Sequence, residues 1–521
     1  MPTTYWAKLL EEQAAKLKDK RFLYLVNQDR SISYADMDLN ANRVANFLLG
    51  LGAVPGAGIA TMMNNSSQFL DIFFGIQKIG MYVNTVNTQL RGDQLAYIVD
   101  NSDARYLVVD YDLLDIYTSI CRSAPKIERV IVNTLEAPED FTVPDGMIDL
   151  RQAYRSDIST VKPAVEFDES SMVLIMYTSG TTGLPKGVVQ RYNKNIIDRF
   201  GMAAPAVLTG DSIYYTALQL FHGNAFFVTT TCSLVMGATV ALSKRFSASR
   251  FWEEVAKSKA TIFNTIGAII PILMRQPVSS FENGHAVEKV LSAGCPAELW
   301  EPFEKRFGVK IWEAYAAVDG SGMITNFGNA PKGSIGKPMG SVIKLVDEQG
   351  NETPAGVAGE LLFHVDPAKR GAVEYYKNPG ASGDKTRGEW EYTGDLMYRD
   401  ENGYLYFVGR STDSMRRRGE NVSAYDVEQA VLKHPDVLEA AAYAVPSEMT
   451  EDEIMASVKP IKGGKISAQQ LWSFLQDKLA RFAIPRYIRI VDDFPRTESF
   501  RIKKGELKAT GVTPDTFDAE A

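Results

Sequence analysis

At 521 residues, 45% hydrophobic and 23% charged, the chain has ordinary globular composition, and its length gives a prior of roughly three to four folding units, which excludes a fibrous or disordered polymer. Its 56 Lys and Arg against 64 Asp and Glu leave a net charge of −8, so the surface has no general attraction for nucleic acid or anionic lipid, and an anionic ligand needs a local site. Cys121, Cys232 and Cys295 lie far apart, without the spacing of a metal site or disulfide framework, which fits a reducing, cytoplasmic setting.

The N-terminus, MPTTYWAKLLEEQAAKLKDK, mixes acids and bases before any apolar run develops and does not read as a secretory signal. Residues 38–51 are helical in pattern, and residues 67–80 place Phe69, Ile72, Phe73 and Ile76 along one helix face. From about residue 104 to 315, short β-branched or apolar runs alternate with amphipathic segments: ARYLVVD, RVIVNT, SMVLIMYTSG, SIYYTAL, ATVALS, ATIFNTIG, KVLSAG and VKIWEAYA. This alternation predicts parallel sheets covered by helices. Residues 212–243 carry no Asp, Glu, Lys or Arg and are long enough to span a bilayer, which needs about 20 apolar residues. Gln219, His222, Asn224 and the Thr229 to Thr231 cluster interrupt the run, so a buried strand and helix around a polar site is the better reading.

Near Gly333 the texture changes to short strands separated by turn signals, in SVIKLVDEQGN, GELLFHV and the YRD and YLYFVGR runs around ENG. Beyond Arg410 the pattern is that of a compact α+β unit. Ser423 with Asp426, and Ser467 with Gln470, form capping-box-like helix starts. The expected architecture is an α/β multi-subdomain N-terminal body over residues 1–410, with parallel sheets, helices and a small β-barrel, followed by a smaller mobile α+β domain over 411–521.

The strand SMVLIM runs directly into YTSGTTGLPKG, residues 177–187. Its hydroxyls, backbone N–H groups and single Lys supply what is needed to wrap a polyphosphate. It is not a Walker A loop, because Lys186 follows Pro185 and no Ser or Thr comes after it. The plain alternative for such a segment is a surface loop between strand and helix.

The full string resembles the phosphate loop of the adenylate-forming, AMP-binding enzymes, a family that includes acyl-CoA synthetases, luciferases and peptide-synthetase adenylation domains. Further segments follow in the family's order over nearly the whole chain: LFHGNA at 220–225, SAGCP at 292–296, WEAYAAVDG at 312–320, GSIGKP at 333–338, YTGD at 392–395, GRSTDSMRRRGENVS at 409–423 and PRTESFRIKK at 495–504.

The resemblance implies an acid–thiol ligase that adenylates a carboxylic acid with ATP and Mg2+ and then transfers the acyl group to CoA. It gives Thr178, Ser179, Gly180, Thr181, Thr182, Gly183 and Lys186 to the phosphates. Gly294, Ala314 and Tyr315 go to adenine, Asp395 to the ribose, and Arg410 to a second ribose or phosphate contact. His222 would wall the carboxylate pocket, and Gly419 would let backbone approach the pantetheine arm. The run Arg416, Arg417, Arg418 follows a hinge at Thr412 or Asp413 and would face the CoA phosphates after the small domain rotates. On its own, such a run is a solvated turn.

Two departures from the family pattern stand out. Asp319 takes the place of the Glu that would hold Mg2+, one methylene shorter, with Val318 in place of the preceding Thr. The Lys that bridges carboxylate and α-phosphate is replaced by Arg501, with Lys503 or Lys504 as substitutes, and Arg presents a planar fork where Lys is a point charge.

The RRRGENVS and FSASRFW segments resemble the carnitine/crotonobetaine-CoA ligase and fatty-acid-transport branch. The uncharged stretch through Phe226, Phe227, Cys232, Leu234 and Met236 points to a fatty or other hydrophobic acid, or to packing. Loading of a carrier protein is the same-class alternative. A catalytically impaired nucleotide-binding homologue is the alternative outside the class. No nucleic-acid partner or transmembrane segment is expected, and peripheral membrane contact is left open.

Overall fold

The computed structural model describes residues 4–178, 184–267, 269–365, 373–410, 414–417, 420–446, 452–476, 478–479, 481–496 and 502–520; at 410, 414, 416, 420, 421, 423 and 482 it describes the backbone alone. The chain divides into two compact units, Met1–Ser341 with His364–Glu391, and Val342–Phe363 with Tyr392–Ala521.

The first unit is built on two large sheets; the apolar runs read between residues 104 and 315 form strands in both, while Arg21–Leu25, Gly58–Met62, Tyr82–Thr85 and the flanking strands lie outside those runs. In the seven-stranded sheet, Gly58–Met62 lies between Tyr82–Thr85 and Ala104–Asp110. Arg129–Asn133 and Ile148–Asp149 extend one side, Met172–Thr178 the other, all parallel. Lys186–Arg191 closes an edge antiparallel to Met172–Thr178. In the nine-stranded sheet, Arg21–Leu25, Thr239–Leu242, Ile213–Thr216, Ile262–Ile266, Lys289–Ala293 and Lys310–Ala316 run parallel in that order. Arg30–Ser33 flanks one side, and Met323–Thr325 and Lys337–Pro338 the other, as antiparallel edges. Runs such as VLIM and ATV bury both faces, which suits strands covered on both sides by helices.

The helix Ser67–Gln77 departs from the one-faced expectation, because all of its residues are buried. It lies in the largest core cluster, where the Phe73 ring stands 5.6 Å from that of Trp6 and 4.4 Å from that of Phe226. Its apolar residues fill that core on more than one face, and its buried Asp71 accepts a hydrogen bond from the Tyr154 hydroxyl at 2.8 Å.

The uncharged stretch forms the strand Ile213–Thr216, a π-helical turn Asn224–Thr231, the helix Cys232–Met236 and the strand Thr239–Leu242. The threonines shape the wide turn: Thr230 Oγ1 donates to Ala225 O and Thr231 Oγ1 to Phe226 O, both at 3.1 Å and both five residues back. Thr231 Oγ1 also accepts from Trp6 Nε1 at 2.8 Å, tying the turn to the N-terminal helix Trp6–Leu17. Among the described residues, no helix is long and apolar enough to cross a membrane.

In the second unit, Ile343–Val346 pairs with Gly359–His364, and Trp390–Arg399 with Leu405–Arg410, in the antiparallel half-barrel that stands where the sequence suggested a small barrel. A four-stranded sheet follows in the order Val437–Pro446, Asp452–Pro460, Tyr487–Ile490, Phe517–Asp518. The helices Ala424–Leu432 and Ala468–Leu475 cover it, and the second opens on the capping box expected from Ser467 and Gln470.

Candidate active site

The phosphate-loop segment connects two antiparallel strands, so the alternative of a loop between strand and helix is set aside. Tyr177 is paired with Gly187 and Thr178 with Lys186. Thr178 and Lys186 are half-buried at the mouth of this hairpin. Tyr177 is locked from behind by its hydroxyl, which donates to Asn101 Oδ1 at 2.7 Å. Ser179, Gly180, Thr181, Thr182 and Gly183 lie outside the described residues.

The residues expected beside adenine stand at the ends of neighbouring parallel strands, Lys289–Ala293 and Lys310–Ala316. Gly294 adopts φ +91°, a conformation that favours glycine, and a Cβ at Gly267 on the next strand end would fall 2.3 Å from the Gly294 carbonyl oxygen. These two backbones cross where no side chain fits. Ala314 and Tyr315 are half-buried and pair with Thr325 and Ile324.

Sequence reading missed the residue that organises this corner. Glu313, 4% exposed, accepts from the N–H of Gly294 through Oε1 and from that of Cys295 through Oε2 at 3.3 Å. Its own N–H donates to Asn326 Oδ1 at 3.0 Å, and that oxygen also receives Gly328 N–H at 2.9 Å. Burial pushes the Glu313 carboxyl up to about 7, with the two backbone donors pulling the other way. The available signal was an acid in the middle of a strand that is otherwise apolar or aromatic, WEAY.

The segment 317–322, which carries Asp319, has no regular structure and is gripped from outside. Arg199, on the helix Ile197–Val207 and 9% exposed, donates from Nη2 to Ala317 O at 3.1 Å and from Nη1 to Gly322 O at 3.2 Å and to Gly320 O. Ser321 N–H donates to Glu391 Oε2 at 2.7 Å, and Glu391 is fully buried. The Asp319 carboxylate accepts from the Tyr375 hydroxyl at 2.6 Å, and Lys385 Nζ lies 3.8 Å from the same oxygen. Lys186 Nζ stands 5.3 Å from the centroid of the Tyr375 ring, so the phosphate-loop lysine and the acid meet on one tyrosine. Arg199, Tyr375 and Lys385 lay in segments that the motif reading passed over.

Mg2+ is commonly held by one or two carboxylates together with substrate phosphates. Among the described residues, no cluster of three or more His, Cys, Asp or Glu offers an all-protein metal cage. Asp319, half-buried and sharing Tyr375 with the phosphate-loop lysine, is the carboxylate that would hold such an ion together with the nucleotide phosphates.

His222 is half-buried, with its ring 4.7 Å from that of Phe221, in the segment entering the π-helical turn. A Cβ at Gly223 would fall 2.7 Å from Val318 Cγ2, which sets this segment directly against the acid loop. Asn224 accepts from Asn264 Nδ2 at 2.5 Å. The apolar residues that had pointed to an acid pocket are core instead: Phe226, Phe227 and Leu234 are at most 1% exposed and lie in one cluster with Trp6 and Phe73. Packing, the second of the two readings of that stretch, is the one the structure bears out.

In the second unit, Asp395 is buried and sits opposite Arg410 across an antiparallel pair, so the two residues expected at the ribose share a register position. Gly419 and Arg501 lie outside the described residues. Of the substitutes for Arg501, Lys503 pairs with Glu506 at 2.8 Å and Lys504 with Glu428 at 2.7 Å. The arginine run needs correction at its centre: Arg417 is 4% exposed, ion-paired with Glu453 at 2.7 Å and donating to Ile484 O at 2.7 Å. A guanidinium so satisfied inside its own domain holds the fold together and does not face a CoA phosphate.

Residues 10–368 match the family described as AMP-binding enzyme, and residues 426–501 the AMP-binding enzyme C-terminal domain. A crotonobetaine/carnitine–CoA ligase of Salmonella paratyphi B is 30% identical over 491 residues, covering 92% of this chain and 93% of that protein. Among solved structures, the anthranilate CoA ligase AuaEII in complex with anthranoyl-AMP is similar with a TM-score of 0.86 and 26% identity, over 98% of both chains. A benzoate CoA ligase from Burkholderia xenovorans LB400 shares the fold with a TM-score of 0.83 at 24% identity, over 96% of this chain and 99% of that one. With both family regions matched in order, and with the hairpin, adenine-side strands and acid loop in one unit, the chain belongs to the AMP-binding enzyme family as an adenylate-forming acid–thiol ligase that uses ATP, Mg2+ and CoA.

Proposed function

We propose that the protein activates a compact carboxylic acid in two steps: acid and ATP give acyl-AMP and pyrophosphate, and CoA then takes the acyl group and releases AMP. The observation that carries this reading is the meeting of Lys186 and Asp319 on Tyr375, which puts a phosphate-binding cation and a metal-binding acid side by side. Attack of a carboxylate oxygen on the α-phosphate places catalysis in positioning and charge neutralisation.

In this reading Thr178, Ser179, Gly180, Thr181, Thr182, Gly183 and Lys186 bind the β- and γ-phosphates. Gly294, Ala314 and Tyr315 receive adenine, Asp395 and Arg410 the ribose, and Asp319 the Mg2+, which neutralises phosphate charge when bound. Arg501 steadies the carboxylate against the α-phosphate. Residues 411–521 act as a mobile domain that brings Arg501 for the first step and Gly419 for the second, the exchange of faces by which one site serves two half-reactions.

His222 borders the acid. With Phe226 and Phe227 in the core, the polar Asn224, two residues on from His222 and bonded to Asn264, favours a compact acid bearing a polar group over a long fatty chain. The relative named for anthranilate, a compact acid with an amino group, points the same way. The test is pyrophosphate release over a panel of aromatic, polar and straight-chain acids, with and without CoA. Turnover of compact acids with CoA-dependent AMP release is expected. Preference for long fatty acids overturns the acid class, exchange without CoA-dependent AMP release points to a carrier protein, and no acid-dependent exchange overturns the reading.

A further inference from the structure

We propose that Tyr375 is a positioning residue for adenylation, one ring that sets the Asp319 carboxylate through its hydroxyl and carries the Lys186 ammonium over its face. The inference rests on the reading of Asp319 as the Mg2+ acid. The ring is 5% exposed and packs with Val188 and Val373, with Val318 and Ala381 against them. Its backbone is registered to the strand that begins at Lys186: Val188 bridges Tyr375, Val189 N–H donates to Glu374 O at 3.0 Å, and Tyr376 N–H donates to Gly187 O at 2.7 Å. Tyr375 N–H donates to Ser382 Oγ at 2.9 Å, which fixes the other flank. Any displacement of the lysine strand therefore carries the ring with it.

An Asp is one methylene shorter than Glu, so its carboxylate has less reach and its direction matters more. The hydroxyl bond of 2.6 Å fixes that direction, and the same oxygen also lies 3.8 Å from Lys385 Nζ. Without the hydroxyl, the carboxylate turns about its own bonds under the pull of Lys385 alone. Groups that orient a metal ligand in this way commonly govern metal affinity by about tenfold or more.

Tyr375→Phe keeps the ring, its packing and the lysine contact, and removes only the hydroxyl. Two readouts are taken against Mg2+ concentration: calorimetric binding of a non-hydrolysable α,β-methylene ATP analogue, and ATP–pyrophosphate exchange. Expected is an increase of about tenfold in the Mg2+ needed for half-maximal analogue binding, with near-native binding at saturating Mg2+ and an unchanged melting temperature. The same shift is expected in exchange, with the KM for the acid unmoved. In an Asp319→Asn background, Tyr375→Phe adds nothing further. An unchanged Mg2+ dependence in Tyr375→Phe, or additive effects in the double variant, overturns the proposal. If Asp319→Asn alone leaves the Mg2+ dependence unmoved, the metal-acid reading itself has failed.

Discussion

The adenine corner and the acid loop are both irregular backbone next to strand ends, and each rests on a buried ion, of opposite sign in the two; at the acid loop the buried Glu391 also receives the Ser321 N–H. At the adenine corner an anion, Glu313, collects the N–H groups of Gly294 and Cys295. At the acid loop a cation, Arg199, collects the carbonyls of Ala317, Gly320 and Gly322. The difference lies in what each ion can do when burial becomes costly. A carboxyl escapes by taking up a proton, and Glu313 is already pushed toward doing so. A guanidinium stays charged, so the carbonyls around Arg199 must satisfy it at every pH. The acid loop is thus held by a permanent clamp and the adenine corner by a titratable one.

The sharpest way to break this comparison is Arg199→Met. Three carbonyls lose charge-assisted donors, and a cost of about 3 to 5 kcal/mol is expected, together with loss of ATP–pyrophosphate exchange by a hundredfold or more, on the order seen for misplaced catalytic groups. Denaturant unfolding and an exchange assay at saturating Mg2+ check both parts. Near-native exchange in that variant removes Arg199 from any role at the site.

Glu313→Ala comes next. Two buried N–H groups are orphaned, but the desolvation of a carboxylate is relieved, so the net cost is smaller, about 2 kcal/mol. The defect is expected to fall on the KM for ATP, because the Gly294 loop moves while the phosphate hairpin does not. A change confined to kcat contradicts this division of labour.

The smallest effect is the one that separates the two clamps. The folded-state pKa of Glu313 lies above its ordinary value of 4.5, so the folded chain holds that proton more tightly than the unfolded one. Its contribution to stability is present at low pH and is lost as pH rises from about 4.5 through about 7. Asp71 and Asp110, each also raised to about 7 by burial, act in the same direction. Glu313→Gln removes one of these contributions, and the fall in melting temperature between pH 5 and 7.5 is expected to shrink by about 2 °C. Melting curves across that range provide the measurement, and an unaltered slope places the titration elsewhere. Arg199→Lys, by contrast, is expected to lower stability without changing the slope.

Most of the strands between residues 104 and 316 were legible because each is a short apolar or β-branched run followed by a polar segment, a local property of the chain, whereas Arg21–Leu25, Gly58–Met62 and Tyr82–Thr85 were not. The phosphate-loop segment was legible for a related reason: its hydroxyls, glycines and lysine are contiguous between Tyr177 and Gly187, whereas the pairing of Lys186–Arg191 back onto Met172–Thr178 was not. Glu313, Arg199 and Tyr375 were not, because the atoms they hold lie far off in sequence, 123 residues in the case of Arg199 and Gly322, and no local pattern records the partner. The aromatics of the uncharged stretch show the opposite limit. Apolar residues beside a polar site read equally as pocket or core, and only the rings of Trp6 and Phe73 meeting Phe226 decided for core.

The sequence by itself determined the chemistry that can occur here, since hydroxyls, cations and acids act through their own functional groups and their order along the chain matches the family. The tertiary structure decided where those groups point. Backbone loops such as 317–322 have no hydrogen-bond ladder of their own, so their geometry is set by buried charges delivered from distant helices and strands, and long-range contact of that kind exists only once the chain has folded.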